Sequence, residues 1–226
     1  MKTTRTASLT ALATMVLLGI AALPKGAKAQ DLYVSSINDN AVRIFSPTGT
    51  LKGSITTNLN LPSTLVFNSA GNLYVSNLGN NSISIFSSAN AFLGSINTNI
   101  NVGYGLAFNS AGNLYVSNNG NNTVSIFNPA GVFLSSINTN LASPVGLAIN
   151  SSGNIYVGNQ GNNTVSIFNP AGGFLGSINT NLNGPTGMAF SSAGNLHVAN
   201  FNTNTVSIFN PAGGFLSSIS TNLSGP

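Results

Sequence analysis

One pattern returns every 41 residues without insertion or deletion, opening at Asp31, Asn72, Asn113, Asn154 and Asn195. A period in this range marks a chain built by stacking equivalent supersecondary units, and the strict register gives every unit the same structural slot. Inside the unit that opens at Asn113 lie four short apolar runs, 114–117, 124–127, 133–137 and 146–149, rich in Val, Ile, Tyr and Phe. Their length and composition favour strands. The separators are Asn-Asn-Gly-Asn-Asn, Asn-Pro-Ala-Gly, Asn-Thr-Asn-Leu-Ala-Ser-Pro and Asn-Ser-Ser-Gly. These are turn sequences, because Gly and Asn tolerate positive φ and Pro fixes φ at about −65°.

Beyond the first thirty residues there is no apolar stripe at helical spacing. Four antiparallel strands in a unit of about 40 residues make the blade of a β-propeller. The competing β-solenoid uses shorter coils, usually about 20–30 residues. The expected architecture is therefore all-β, a propeller of about five four-stranded blades over residues 30–226. Asp31 opens on the second strand of a blade, so the first blade is expected to lack its innermost strand. Pro226 falls where the next first strand would start, as the Thr-Gly-Met-Ala-Phe after Pro185 shows. Either the ring has five blades with one incomplete, or the sequence is part of a larger ring.

Residues 1–29 read as a signal peptide: Lys2 and Arg5, an apolar stretch from Leu9 to Leu23, then Ala27-Lys28-Ala29 as the cleavage signal. Four of the six cations (Lys2, Arg5, Lys25, Lys28) leave with it. Arg43 and Lys52 then face Asp31 and Asp39, a net charge of zero. Nucleic acid needs cations to neutralise phosphates, so that class of partner is excluded. No further apolar run is long enough to span a bilayer, and the expected location is secreted, periplasmic or cell-surface. There are no cysteines, so stability must come from packing and backbone pairing.

Acid–base catalysis needs titratable groups placed together, and the mature chain offers only Asp31, Asp39 and His197. His197 stands in the slot held by Tyr74, Tyr115 and Tyr156, a packing position. No catalytic residue, cofactor site or metal site is expected, and the chain reads as not an enzyme. The charges of the first unit would discourage edge-to-edge association beside its open strand.

The run Gly187 to Ala199 (GMAFSSAGNLHVA) with Val206 to Ser217 (VSIFNPAGGFLS) resembles the NHL repeat. The YVSN of Tyr74–Asn77 and Tyr115–Asn118 and the YVGN of Tyr156–Asn159 are similar to the YVTN type. Either resemblance covers essentially residues 31–226 and implies a propeller. NHL units typically carry an aspartate after the first strand, another after the second and an arginine in the third. Here those places hold Asn109, Asn118 and Val124. Lactonases of similar fold need a glutamate and an aspartate for their metal, and this chain has no glutamate.

The asparagine-rich turns are the candidate recognition surface. The links before the first strand and after the second emerge on one face. That gathers Asn80, Asn81, Asn97, Asn99, Asn121, Asn122, Asn138, Asn140, Asn162, Asn163, Asn179 and Asn181 on one rim. Amides donate and accept at once and suit sugar hydroxyls, so a glycan or a protein is the expected partner. Asn80, Asn121, Asn162 and Asn222 also fit the glycosylation sequon. The expected function is a secreted non-catalytic binding or scaffold module with a neutral, Asn-rich rim. The alternative is a self-assembling surface or matrix component that associates through the incomplete blade, and a lactonase- or lyase-like enzyme is the third reading.

Overall fold

A computed structural model describes residues 31–226, and the expected signal peptide lies outside the described residues. Five antiparallel meanders follow one another along the chain. Blade 1 has three strands, β1 (Leu32–Ser36), β2 (Ala41–Phe45) and β3 (Leu51–Ile55). Blade 2 has four, β4 (Pro62–Phe67), β5 (Leu73–Asn77), β6 (Ser82–Phe86) and β7 (Phe92–Ile96). Blade 3 repeats this with β8 (Gly103–Phe108), β9 (Leu114–Asn118), β10 (Thr123–Phe127) and β11 (Phe133–Ile137). Blade 4 comprises β12 (Pro144–Ile149), β13 (Ile155–Asn159), β14 (Thr164–Phe168) and β15 (Phe174–Ile178). Blade 5 comprises β16 (Pro185–Phe190), β17 (Leu196–Asn200), β18 (Thr205–Phe209) and β19 (Phe215–Ile219). The all-β, five-blade propeller read from the repeat is the observed fold, including the three-stranded first blade.

Each hairpin is closed by the chemistry of its turn. Between β10 and β11 the Asn128 side chain accepts from the backbone N–H groups of Ala130 (3.0 Å) and Val132 (2.9 Å). Gly131 takes φ +77° there and donates to the Asn128 carbonyl at 2.8 Å. An asparagine can cap such a turn, and the glycine supplies the left-handed residue at little steric cost. Asn169 and Asn210 cap the matching turns of blades 4 and 5.

The core lies between the blades as four repeated layers. In one of them Tyr115, Val124, Ile126 and Ile137 of blade 3 pack on Leu147, Ile155, Val157 and Phe168 of blade 4. Burial of this kind is worth roughly 1.5–3 kcal/mol per large side chain, and it stands in for the absent disulfides. At the inner strands the blades approach backbone to backbone. A Cβ on Gly146 would collide with the Thr186 carbonyl oxygen, and one on Gly105 with that of Val145. Ser117 bridges blades 3 and 4 beside this contact, its hydroxyl donating to the Val145 carbonyl at 2.7 Å.

The two end blades each keep one face out of these layers. Ile219 of blade 5 is 46% exposed, whereas Ile55, Ile96, Ile137 and Ile178 in the same slot are 5–6% exposed. Leu32 of blade 1 is 38% exposed, whereas Leu73, Leu114, Ile155 and Leu196 are at most 1% exposed.

Candidate functional site

The described surface offers three regions: the asparagine rim, the few charged side chains of blade 1, and the outer strands. At the rim half of the twelve side-chain amides already accept a hydrogen bond from within the chain. Asn81, Asn122 and Asn163 sit at φ 53–57° and accept from the backbone N–H groups of Val102, Ser143 and Gly184 at 2.6–2.7 Å. Each thereby ties a hairpin tip to the link that leads into the next blade. Asn80, Asn121 and Asn162 accept from the hydroxyls of Ser82, Thr123 and Thr164 at 2.7–2.9 Å. Asn99, Asn140 and Asn181 are also left-handed, and their carbonyls accept from Ser125, Ser166 and Ser207 at 2.6 Å. Asn97, Asn138 and Asn179 lie exposed just after the outer strands. Asn80, Asn81, Asn99 and their equivalents in blades 3 and 4 thus belong to hydrogen bonds of the hairpin tips and links, whereas Asn97, Asn138 and Asn179 stand outside that network.

Beneath the rim sit asparagines that the sequence analysis left out of the candidate surface. Asn118 is fully buried at the end of β9. Its Oδ1 accepts from the Asn101 backbone N–H at 3.0 Å, and its Nδ2 donates to Thr123 Oγ1 at 3.0 Å and Ser125 Oγ at 2.8 Å. Asn77, Asn159 and Asn200 repeat the pattern. The signal was there in the position: each closes a strand on the same side as the buried residues before it.

The charged side chains pair among themselves. Arg43 donates to Asp39 at 2.7 Å and Lys52 to Asp31 at 2.5 Å, both near the surface. Hydrogen bonds from Arg43 and then Ser36, with the Arg43 charge, hold the Asp39 carboxyl below its usual range. His197 lies on β17, half-buried, with Nδ1 3.3 Å from the Asn195 carbonyl. Burial pushes the phenols of Tyr74, Tyr115 and Tyr156 above their ordinary range, a packing effect of their inter-blade slot. Among the described residues no three His, Cys, Asp or Glu side chains come together as metal ligands would. No helix there is long and apolar enough to cross a membrane.

The outer strands carry the largest exposed side chains. Phe92 and Leu93 on β7, Phe133 and Leu134 on β11, Phe174 and Leu175 on β15, and Phe215 and Leu216 on β19 are all exposed, 37–57% of each side chain's surface. Each phenylalanine stands edge-on to a buried ring of the strand before it, as Phe133 does to Phe127 at 5.8 Å between centroids. The result is an apolar belt around the outside of blades 2 to 5, where the sequence carries no Lys, Arg, Asp or Glu.

Residues 141–168, the link into blade 4 with β12 to β14, match the NHL repeat family model. No curated protein matches the chain. Among solved structures it is similar to virginiamycin B lyase from Staphylococcus aureus, at 12% identity and a TM-score of 0.73 over 87% of this chain and 68% of that one. It is also similar to a gluconolactonase-like protein, at 17% identity and TM-score 0.74 over 87% and 76%. A third neighbour comes from a nidogen/laminin complex, at 18% identity and TM-score 0.74 over 84% and 76%. These likenesses correct the functional expectation. A secreted non-catalytic binding or scaffold module with an asparagine rim does not stand as the reading, because the same fold belongs to enzymes such as the lyase. With a five-blade sheet order, the repeat match and propeller neighbours all in agreement, the chain is a β-propeller repeat protein with an NHL repeat at residues 141–168.

Proposed function

We propose that the propeller recognises a protein partner through the apolar belt of its outer strands. The observation that carries this reading is the recurrence of an exposed Phe-Leu pair on four successive blades. Large apolar side chains exposed at the same place on successive blades suit an interaction site, and aromatic side chains are favoured anchors at protein interfaces. A lipid surface is a poorer occupant, since attachment to anionic membranes draws on cations that blades 2 to 5 lack. The neighbour solved within a nidogen/laminin complex supports a protein as the partner class. The leader pattern of residues 1–29 supports a place of action outside the cytoplasm.

Photo-crosslinking in the source cells tests this. A crosslinking amino acid at Leu134 should trap a protein, and one at Asn138, just beyond the same strand, should trap little. With the crosslinker kept at position 134, replacing Leu93, Leu175 and Leu216 together by Ser should sharply weaken the adduct while the fold survives. Adducts that form at Asn138 and not at Leu134 would refute the reading.

A further inference from the structure

We infer that Asn119–Gly120, at the hairpin tip of blade 3, is a self-modification site, where the folded chain converts its own asparagine to an isoaspartyl or aspartyl residue without an enzyme. This site is separate from the outer belt and does not depend on it. Asn-Gly occurs twice in the sequence, at Asn119–Gly120 and at Asn183–Gly184. In such a pair the backbone nitrogen of the glycine can reach the side-chain carbonyl carbon, because the second residue has no side chain to block the approach.

The pair in blade 3 arises where a position fixed by the fold follows one that is free. The slot of Gly120 holds Gly79 in blade 2 and Gly161 in blade 4. A Cβ on Gly79 or Gly120 would collide with the side-chain oxygen of Asn60 or Asn101, and one on Gly161 would press on the Ala142 carbonyl oxygen at 3.1 Å. The slot before it accepts Leu78, Asn119 and Gln160 alike, so the fold does not dictate it. Only in blade 3 does an asparagine stand there. Gln160 would have to close a larger ring, which forms less readily.

Local structure then separates the two Asn-Gly pairs. Gly184 is buried at φ +64°, and its N–H donates to Asn163 Oδ1 at 2.7 Å. Asn183 Oδ1 accepts from Asn202 Nδ2 at 3.0 Å, so both reacting groups are held in place. Gly120 is exposed, and its N–H reaches the Asn101 carbonyl only at 3.2 Å. Among the described residues no partner holds the Asn119 side-chain amide. Solvent can therefore take the Gly120 amide proton while the Asn119 side chain turns toward that nitrogen.

The step balances with water alone. Gly120 N bonds to Asn119 Cγ, solvent takes the N–H proton, and Nδ2 leaves as ammonia, closing a succinimide ring. Water added at the backbone carbonyl opens the ring to an isoaspartyl linkage, and water added at Cγ opens it to aspartate. Either product places a carboxylate on blades 2 to 5, which otherwise carry no Lys, Arg, Asp or Glu. The isoaspartyl form also lengthens the backbone ahead of Gly120 and displaces the bond that ties this tip to the link at Asn101.

The test follows the purified full chain at mildly alkaline pH by peptide mass spectrometry and isoelectric focusing. In the folded chain Asn119 should convert about tenfold faster than Asn183, with ammonia released in step. In urea the two should convert at similar rates, since the fold no longer distinguishes them. Asn119→Gln, which copies the blade 4 slot, should remove the early acidic band and leave the circular dichroism spectrum unchanged. Conversion of Asn119 no faster than that of Asn183 in the folded chain overturns the inference. So does an early acidic band that persists in Asn119→Gln.

Discussion

Asn118→Ala separates an asparagine that builds the propeller from one that merely decorates it. The substitution removes the acceptor of the Asn101 backbone N–H and the donor to Thr123 and Ser125, around an Asn118 side chain that is itself fully buried while Asn101 and Thr123 are half-buried. The hydroxyl of Ser125 keeps its bond to the Asn99 carbonyl at 2.6 Å, and Thr123 keeps Asn121 at 2.9 Å. The backbone N–H of Asn101 has no other partner and is left orphaned. An orphaned donor costs about 1–3 kcal/mol and the two lost donations add about 0.5–1.5 kcal/mol each, a span of about 2–6 kcal/mol; the partial exposure of Asn101 and Thr123 keeps the expected loss below its upper end, at ~3–4 kcal/mol. Asn121→Ala, one position class away in the same turn, removes a single exposed bond and should stay within about 0.5 kcal/mol. Urea unfolding followed by circular dichroism reads both. At a slope of about 2 kcal/mol/M the midpoint should fall by roughly 1.5–2 M for Asn118→Ala and hardly move for Asn121→Ala. Losses equal within about 1 kcal/mol would refute the division of the asparagines into buried and surface ones.

The end blades make a matched comparison: Ile137→Ala should cost about 2–5 kcal/mol, and Ile219→Ala, in the same slot but 46% exposed, under about 1 kcal/mol by the same unfolding assay. Gly146→Ala forces a Cβ onto the Thr186 carbonyl and should cost about 1–3 kcal/mol or more, while Gly53→Ala, with nothing within 4 Å, should be close to neutral. Gly158 replaces the bridging serine of blades 2 and 3, and its added Cβ would stand 3.5 Å from Met188 and Pro185; Gly158→Ser should therefore raise stability by about 0.5–1 kcal/mol, measured as a higher urea midpoint. The buried phenols set the alkaline limit. Because burial raises the folded values of Tyr74, Tyr115 and Tyr156 above the unfolded value near 10, their contribution is complete below about pH 10 and is lost as pH climbs past it. Replacing all three by Phe should flatten the stability profile as the pH climbs past about 10; a profile that stays as steep would assign the loss to other groups.

What was legible in the sequence follows from which interactions are local. Turn chemistry and strand composition act within a few residues, so Asn128-Pro-Ala-Gly131 announces its hairpin and Val124–Phe127 its strand. The fixed period then forces the stacking of blades. Asn118 and Asn121, by contrast, stand three residues apart in the same asparagine run and are chemically identical in the sequence. Strand β9 ends at Asn118 with its side chain turned inward under the next link, and Asn121 lies on the tip. The resemblance to NHL units made Asn118 look like a neutralised aspartate, yet the site needs an amide. Its oxygen must accept from Asn101 while its nitrogen donates to two hydroxyls, one of which already gives its proton to Asn99. A carboxylate there would meet Ser125 lone pair to lone pair and would also bear the cost of a buried charge. The belt was hidden for a different reason. Phe133-Leu134 reads as a core strand on composition alone, and only the position of β11 at the edge of its sheet, with no further strand beyond it, turns those side chains toward solvent. Exposure of an apolar strand is thus a property of the sheet order. In a repeat it recurs, here on blades 2 to 5, which turns a minor edge effect into an exposed apolar pair presented four times around the molecule.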